Sequence, residues 1–188
     1  ILSGIVSYPD MLLINRQPED PITKPLQAIK KSGERAAAIV QDLLTLARKG
    51  VGEAVPVNLN NVITDFLDSP EHRELVCNAE HITFKVTLET DLFNINGSPV
   101  HLLKIFMNLF LNALEAIEQE GLLQIYTENT VVAEDYPGYE LIPAGEYATL
   151  SIKDTGIGMS IEEMNHIFEP FYSRKIMGRS GTGLGMSV

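Results

Sequence analysis

The chain of 188 residues is 45% hydrophobic and 21% charged, a balance that suits a soluble globular protein of one domain with an appendage or of two small domains. A net charge of −11 argues against a nucleic-acid surface and against contact with anionic membranes, so a polyanionic ligand has to be met by a cation or by backbone amides. The single cysteine, Cys77, rules out an intrachain disulfide or a cysteine-rich zinc site and fits a reducing, cytoplasmic setting.

No apolar run approaches the roughly 20 residues of a membrane span, and Ile1-Leu-Ser-Gly-Ile-Val lacks the basic flank of a signal peptide. A start on Ile1 is what a piece cut from a longer chain would show, and the same holds at Val188. Residues 1–16, apolar at Ile1, Leu2, Ile5, Val6, Met11, Leu12, Leu13 and Ile14, read as the tail of a helix that Pro9 kinks. A loop over 17–21 leads into a second helix, capped by Asp20 or Thr23, with Pro21 or Pro25 in its first turn. Along it Leu26, Ile29, Gly33, Ala36, Val40, Leu43 and Ala47 recur at spacings of 3 and 4, the seam of a bundle or coiled coil. Gly50 ends this helix, and Arg48 and Lys49 favour its dipole. Two antiparallel helices expose more apolar seam than they cover. Pairing with a second copy into a four-helix bundle is therefore expected, the alternative being burial against the rest of the same chain.

After a linker over 50–56, Asn60 is placed to cap a helix through Val62, Ile63, Phe66 and Leu67. Ile82, Phe84, Val86 and Leu88 alternate with Thr83, Lys85, Thr87 and Glu89, a strand with one buried face. Ser98 and Pro99 are a cap and first-turn pair for a long helix that is apolar nearly all round over 100–117, the pattern of a buried helix. Asn108 and Asn112 lie one turn apart on it, with Glu115 one turn further. Buried amides need partners, which are either neighbouring backbone groups or a ligand. Strands over 122–127 and 146–153 follow, separated by a loop holding Pro137, Gly138 and Pro143. In the second of them Asp154 shares a side with Ala148, Leu150 and Ile152, so its carboxylate is aimed at a core and needs a partner. Gly156 and Gly158 come next. Ser160 caps a short helix through Met164 and Phe168, and Gly178, Gly181, Gly183 and Gly185 crowd the end, where glycines let backbone amides approach phosphates.

On four of these stretches the chain resembles the ATP-binding module of sensor histidine kinases, within the wider fold shared with gyrase, MutL and a heat-shock ATPase chaperone. Asn108-Leu-Phe-Leu-Asn112-Ala113-Leu-Glu115-Ala116 matches the N box, and Asp154-Thr-Gly156-Ile-Gly158-Met159 the first glycine box. Phe168-Glu-Pro-Phe171-Tyr-Ser-Arg-Lys175 matches the F box, and Gly181-Thr-Gly183-Leu-Gly185-Met186 the second glycine box. Residues 1–50 resemble the dimerisation hairpin of that family, above all Gly33-Glu-Arg-Ala-Ala-Ala-Ile-Val-Gln-Asp-Leu-Leu.

The resemblance implies an α+β protein: a hairpin over 1–50 that forms a dimeric four-helix bundle, then an α/β sandwich ATP-binding domain over 51–188. It implies ATP and Mg²⁺ as ligands. Asp154 would accept from the adenine amino group, Gly158 would line the base pocket, and Gly156 would be a further nucleotide-binding residue. Asn112 would ligate Mg²⁺ with Asn108 beside it, and Lys175 would reach the terminal phosphate. Gly181, Thr182, Gly183, Leu184 and Gly185 would contact the phosphates, leaving Arg174 to Ser180 as a lid. Hydrolysing relatives carry Glu at the place of Asn108; an amide takes no proton at neutral pH, so the resemblance implies transfer to a protein side chain rather than hydrolysis. The implied enzyme is a protein-histidine kinase in a phosphorelay, a homodimer through residues 1–50 whose partner is a response regulator receiver domain. The family's acceptor His belongs on the first hairpin helix, yet His occurs here only at 72, 81, 101 and 166, which places the acceptor upstream of Ile1. The family module also continues beyond the second glycine box, so an incomplete sheet is expected. The alternative is a nucleotide-binding or dimerisation module without transfer.

Overall fold

Two units make up the chain, one of residues Ile1–Gly50 with Phe168–Val188 and the other of Val51–Ile167. The computed structural model describes residues 2–14, 16–17, 20–47, 54–138, 141–172 and 183–187. The expected helix end at Arg48, Lys49 and Gly50 lies outside the described residues, as do Lys175 and most of the expected lid.

In the first unit, helix α1 (Leu2–Leu13) runs through Pro9 as one helix, and α2 (Thr23–Ala47) returns beside it. The pairing is antiparallel: Gly33 meets Ile5 and Val6, whereas Lys30, earlier in α2, binds Asp10 at 2.6 Å. A Cβ on Gly33 would lie 2.8 Å from the Ile5 side chain, so the glycine in the heptad pattern lets the helices approach closely. The turn into α2 is held by Asp20, whose Oδ1 accepts from Ile22 N at 3.0 Å and whose Oδ2 accepts from Arg16 at 2.6 Å. The Ile22 amide first, and then the Arg16 guanidinium, hold the Asp20 carboxyl below its ordinary value. Hydrogen bonding to Asp10 likewise raises the Lys30 ammonium. Leu26 is buried, but Ile29 and Val40 of the expected seam are 50% and 43% exposed, as is Leu44 at 44%.

The second unit begins with β1 (Val55–Val57), which pairs antiparallel with β3 (Ile95–Gly97) and takes the end of what the sequence suggested as a linker. Helix α3 (Leu59–Leu67) is capped by Asn58, whose side chain accepts from Asn60 N. Asn60, the cap expected from sequence, has another task. Its amide donates to Glu89 O at 2.7 Å and accepts from Thr127 Oγ1 at 2.8 Å, which satisfies the buried threonine. Helix α4 (Pro70–Cys77) was not foreseen, although Ser69 and Pro70 form the same cap and first-turn pair that announced the long helix.

The main sheet has the order β2 (Ile82–Thr87), β4 (Gly121–Val132), β7 (Gly145–Asp154). β2 and β4 run parallel, so the chain crosses over between them through β3 and the long helix α5 (Pro99–Ala116). β4 and β7 are antiparallel, and their connection carries a small pair, β5 (Tyr136–Pro137) and β6 (Leu141–Ile142), where a loop was expected. Among the described residues the last element is α6 (Ile161–His166). One face of the sheet, with Ile82, Leu123 and Ile125, packs against Ile63 and Phe66 of α3 and Phe106, Phe110 and Ala113 of α5. These helices form a second layer on that face, giving a two-layer sandwich. Val86, expected on the buried side of β2, is 41% exposed, because the core lies toward the start of that strand.

Candidate functional site

Helix α5 sets one wall of the site. It is not buried all round as its composition suggested: His101, Ile105, Asn112 and Glu115 are exposed and Asn108 is half-buried. A helix that covers one face of a sheet keeps an outer side, and the apolar Val100, 72% exposed, and Ile105, 46% exposed, stand on the open side regardless of their hydropathy. Phe106, Phe110 and Ala113 point the other way, into the core.

Strand β7 sets the second wall. Asp154 is half-buried, opposite Leu123, and its Oδ1 accepts from Gly156 N at 2.8 Å. The partner that a core-facing carboxylate requires is thus supplied partly by the turn that follows it, while among the described residues its other oxygen carries no hydrogen bond. Thr155 prolongs the ladder: its N donates to Leu122 O at 3.1 Å and its Oγ1 accepts from Leu122 N at 2.9 Å. Ile157 N then donates to Ala116 O at 3.0 Å. A Cβ on Gly156 would stand 2.4 Å from that same oxygen, so the turn can close on the end of α5 only with glycine there. Gly158 has φ +66° and open space around the place of a Cβ.

The turn from Asp154 to Gly158 is therefore fastened to the C-terminal end of the helix that bears Asn108 and Asn112. His81 holds that end from another side, its Nε2 donating to Ile117 O at 3.4 Å. Sequence reasoning missed Thr155, His81 and the Ala116 carbonyl in these roles. A backbone carbonyl leaves no residue-type signal, and a lone Thr or His in a loop has no period to reveal it. Ser160 behaves as expected, in a reciprocal capping box with Glu163.

In the first unit, Phe171 N donates to Gly183 O at 2.8 Å. A Cβ on Gly183, where φ is +70°, would lie 2.5 Å from the Phe171 carbonyl carbon, so the F box and the second glycine box join backbone to backbone. Leu184 is fully buried and Gly185 half-buried. Lys175, Gly181 and Thr182 lie outside the described residues. Among the described residues no group of three or more His, Cys, Asp or Glu side chains could hold a metal by itself. A cation here would take an amide oxygen from Asn112 and rely on ligand phosphates and water for the rest, which suits Mg²⁺.

Residues 97–188 match the family described as histidine kinase-, DNA gyrase B- and HSP90-like ATPases. Over that stretch the chain carries the sequence pattern of these ATPases. Every site residue named from the sequence falls within the matched stretch. Across 100% of its length the chain is 29% identical to the sensor kinase CckA of Brucella abortus, covering 20% of that protein. It is 30% identical, again over 100% of its length, to the sensor histidine kinase ZraS of Klebsiella oxytoca, covering 36%. The chain is thus homologous to sensor histidine kinases and spans from a fifth to just over a third of these relatives. The fold agrees: the crystal structure of full-length ShkA in complex with AMPPNP superposes with a TM-score of 0.67 at 21% identity, over 99% of this chain and 36% of that one. Histidine kinase ThkA in complex with response regulator protein TrrA gives 0.60 at 19% identity, over 92% and 47%. No described helix is long and apolar enough to cross a membrane.

Proposed function

We propose that the chain is the catalytic core of a sensor histidine kinase, which binds Mg-ATP and transfers its terminal phosphate to a histidine for relay to an aspartate of a response regulator. The observation that carries this reading is the fastening of the Asp154–Gly158 turn to Ala116, at the end of the helix whose open face bears Asn108 and Asn112. Adenine sits at the turn, its amino group donating to Asp154, and the phosphates run along the open face of α5. Mg²⁺ supplies charge neutralisation between the phosphates when Asn112 holds it. Lys175 meets the terminal phosphate, and the backbone from Gly181 to Gly185 accommodates the chain of phosphates. The acceptor imidazole nitrogen attacks the terminal phosphorus as the bond to the ADP oxygen breaks. Asn108 stands where a water-activating carboxylate would stand in a hydrolase, so water is not deprotonated.

Support for the ligand comes from ShkA, seen with AMPPNP, and for the partner from ThkA, seen with a response regulator. Residues 1–50 form the dimerisation hairpin and 51–188 the ATP-binding domain, in a cytoplasmic part of the parent protein. One observation favours a second reading, nucleotide binding without transfer: residues 1–50 contain no histidine. Incubation of the full-length protein with Mg²⁺ and ATP labelled on the terminal phosphate separates the two. Acid-labile, alkali-stable label on the protein is expected; ATP binding with no label would establish the second reading, and steady release of phosphate would mark a hydrolase.

A further inference from the structure

The ladder between β4 and β7 does not end on backbone alone. Its last registered pair is Leu123 with Asp154, and one residue further Thr155 N donates to Leu122 O at 3.1 Å. In a regular antiparallel pair the return bond would run from Leu122 N to the Thr155 carbonyl. Here Leu122 N donates to the Thr155 hydroxyl, Oγ1, at 2.9 Å. The side chain stands in for the backbone acceptor, so the chain leaves the sheet at once and turns toward Ala116, where Ile157 N is bound.

Gly121 is matched to this device. A Cβ there would lie 2.8 Å from Thr155 Oγ1 and 2.5 Å from the Ile117 side chain, so glycine leaves the room in which the hydroxyl reaches the ladder. Thr155 itself is exposed, and its hydroxyl rather than its burial is what the turn uses. The segment after Asp154 is thus held on one side by Leu122 and on the other by Ala116. Asp154 Oδ1 is taken by Gly156 N at 2.8 Å, and the direction of Oδ2 follows from the backbone around it.

We propose that Thr155 is a positioning residue: by holding Leu122 N it fixes the Asp154 carboxylate toward the amino group of adenine, and so sets the preference for adenine over a base with a carbonyl at that place. The inference rests on the reading of Asp154 as the adenine acceptor and adds a residue that acts through it. Without the hydroxyl, Leu122 N has the Thr155 carbonyl or water to bond, and the Asp154–Thr155 peptide is released to rotate while Ile157 stays on Ala116. A base that carries a carbonyl instead of the amino group has no hydrogen to give the carboxylate, so its binding is indifferent to that rotation.

Isothermal titration of the full-length protein with ADP and with inosine diphosphate, at saturating Mg²⁺, tests it; neither ligand carries the phosphate that would be transferred. Thr155→Val, which keeps the shape, is expected to weaken ADP about tenfold, the scale of one hydrogen bond to a charged group, and to leave inosine diphosphate within about twofold. Thr155→Ser, which keeps the hydroxyl, should bring ADP back to within about twofold of the parent. Equal weakening of both diphosphates, or of neither, overturns the role of Thr155, as does a serine variant no better than the valine. Asp154→Asn separates the underlying reading: it should abolish or reverse the preference for ADP, and a preference that persists there, or none in the parent, overturns the adenine site itself. Circular dichroism melts of the variants, expected to match the parent because residue 155 is exposed, keep folding out of the comparison.

Discussion

Gly156 and Gly158 look alike in the motif, but the structure gives them different reasons to be glycine. At Gly156 the obstacle is a neighbour, because a methyl group would occupy the space of the Ala116 carbonyl, 2.4 Å away. At Gly158 the obstacle is the backbone alone, with φ +66° and nothing nearby. Gly156→Ala should therefore push the turn off α5, break the Ile157–Ala116 hydrogen bond, cost roughly 1–3 kcal/mol and abolish nucleotide binding. Gly158→Ala should cost about 1 kcal/mol of left-handed strain and leave the turn attached. Thermal melts and calorimetry on the two variants check the order; a Gly158→Ala variant less stable than Gly156→Ala would contradict it. The spacing of these glycines was readable in the chain. Their separate physical grounds were not, because the Ala116 oxygen is brought there by a crossover helix about 40 residues earlier in sequence.

Helix α5 joins core and site. Its inner side carries Phe106 and Phe110, which meet Phe66 edge-on at centroid distances of 5.4 Å, while Phe84 stacks on Phe110 at 6.1 Å. Phe110 is completely buried, and Phe110→Ala should cost about 3–5 kcal/mol, close to the whole stability of a small domain. Val100→Ala, on the same helix but 72% exposed, should be nearly neutral. Denaturant titrations of both variants give the comparison, and a small effect at Phe110 would mean that the core relaxes into the cavity. The helix itself was readable from Ser98, Pro99 and its apolar run. Its open side was not, since Ile105 and Val100 carry the same hydropathy as the residues that pack. For the same reason the sequence pointed to Asn60 as a cap. Asn58 and Asn60 are equally suited to capping, and only the nearness of Glu89 and Thr127, across the fold, engages Asn60 elsewhere.

For the molecule as a whole, the hairpin leaves Ile29, Val40 and Leu44 of α2 and Met11 and Leu12 of α1 each 43–64% exposed. Burying a side chain of this size gains about 1.5–3 kcal/mol, so two such hairpins have ample reason to associate. The chain should run as a dimer in light scattering coupled to gel filtration. The double change Ile29→Glu, Leu44→Lys should yield a folded monomer with intact nucleotide binding, because the ATPase domain has a core of its own. A monomeric parent chain would refute the bundle.

Helix caps and alternating strands were enough to indicate an α+β chain, because each rests on local spacing along the backbone, and four motifs in order carried its resemblance to the ATP-binding module of histidine kinases. Which sides of those elements stay open was decided by the tertiary structure. A side chain's exposure depends on what lies across from it: one layer of helices on one face of β2, β4 and β7 leaves α5 an outer strip from His101 to Glu115. Asp154 shows the difference most simply. Its register on β7 follows from alternation, but the hydrogen bond from Gly156, and the attachment of that turn to Ala116, exist only once α5 has crossed over the sheet.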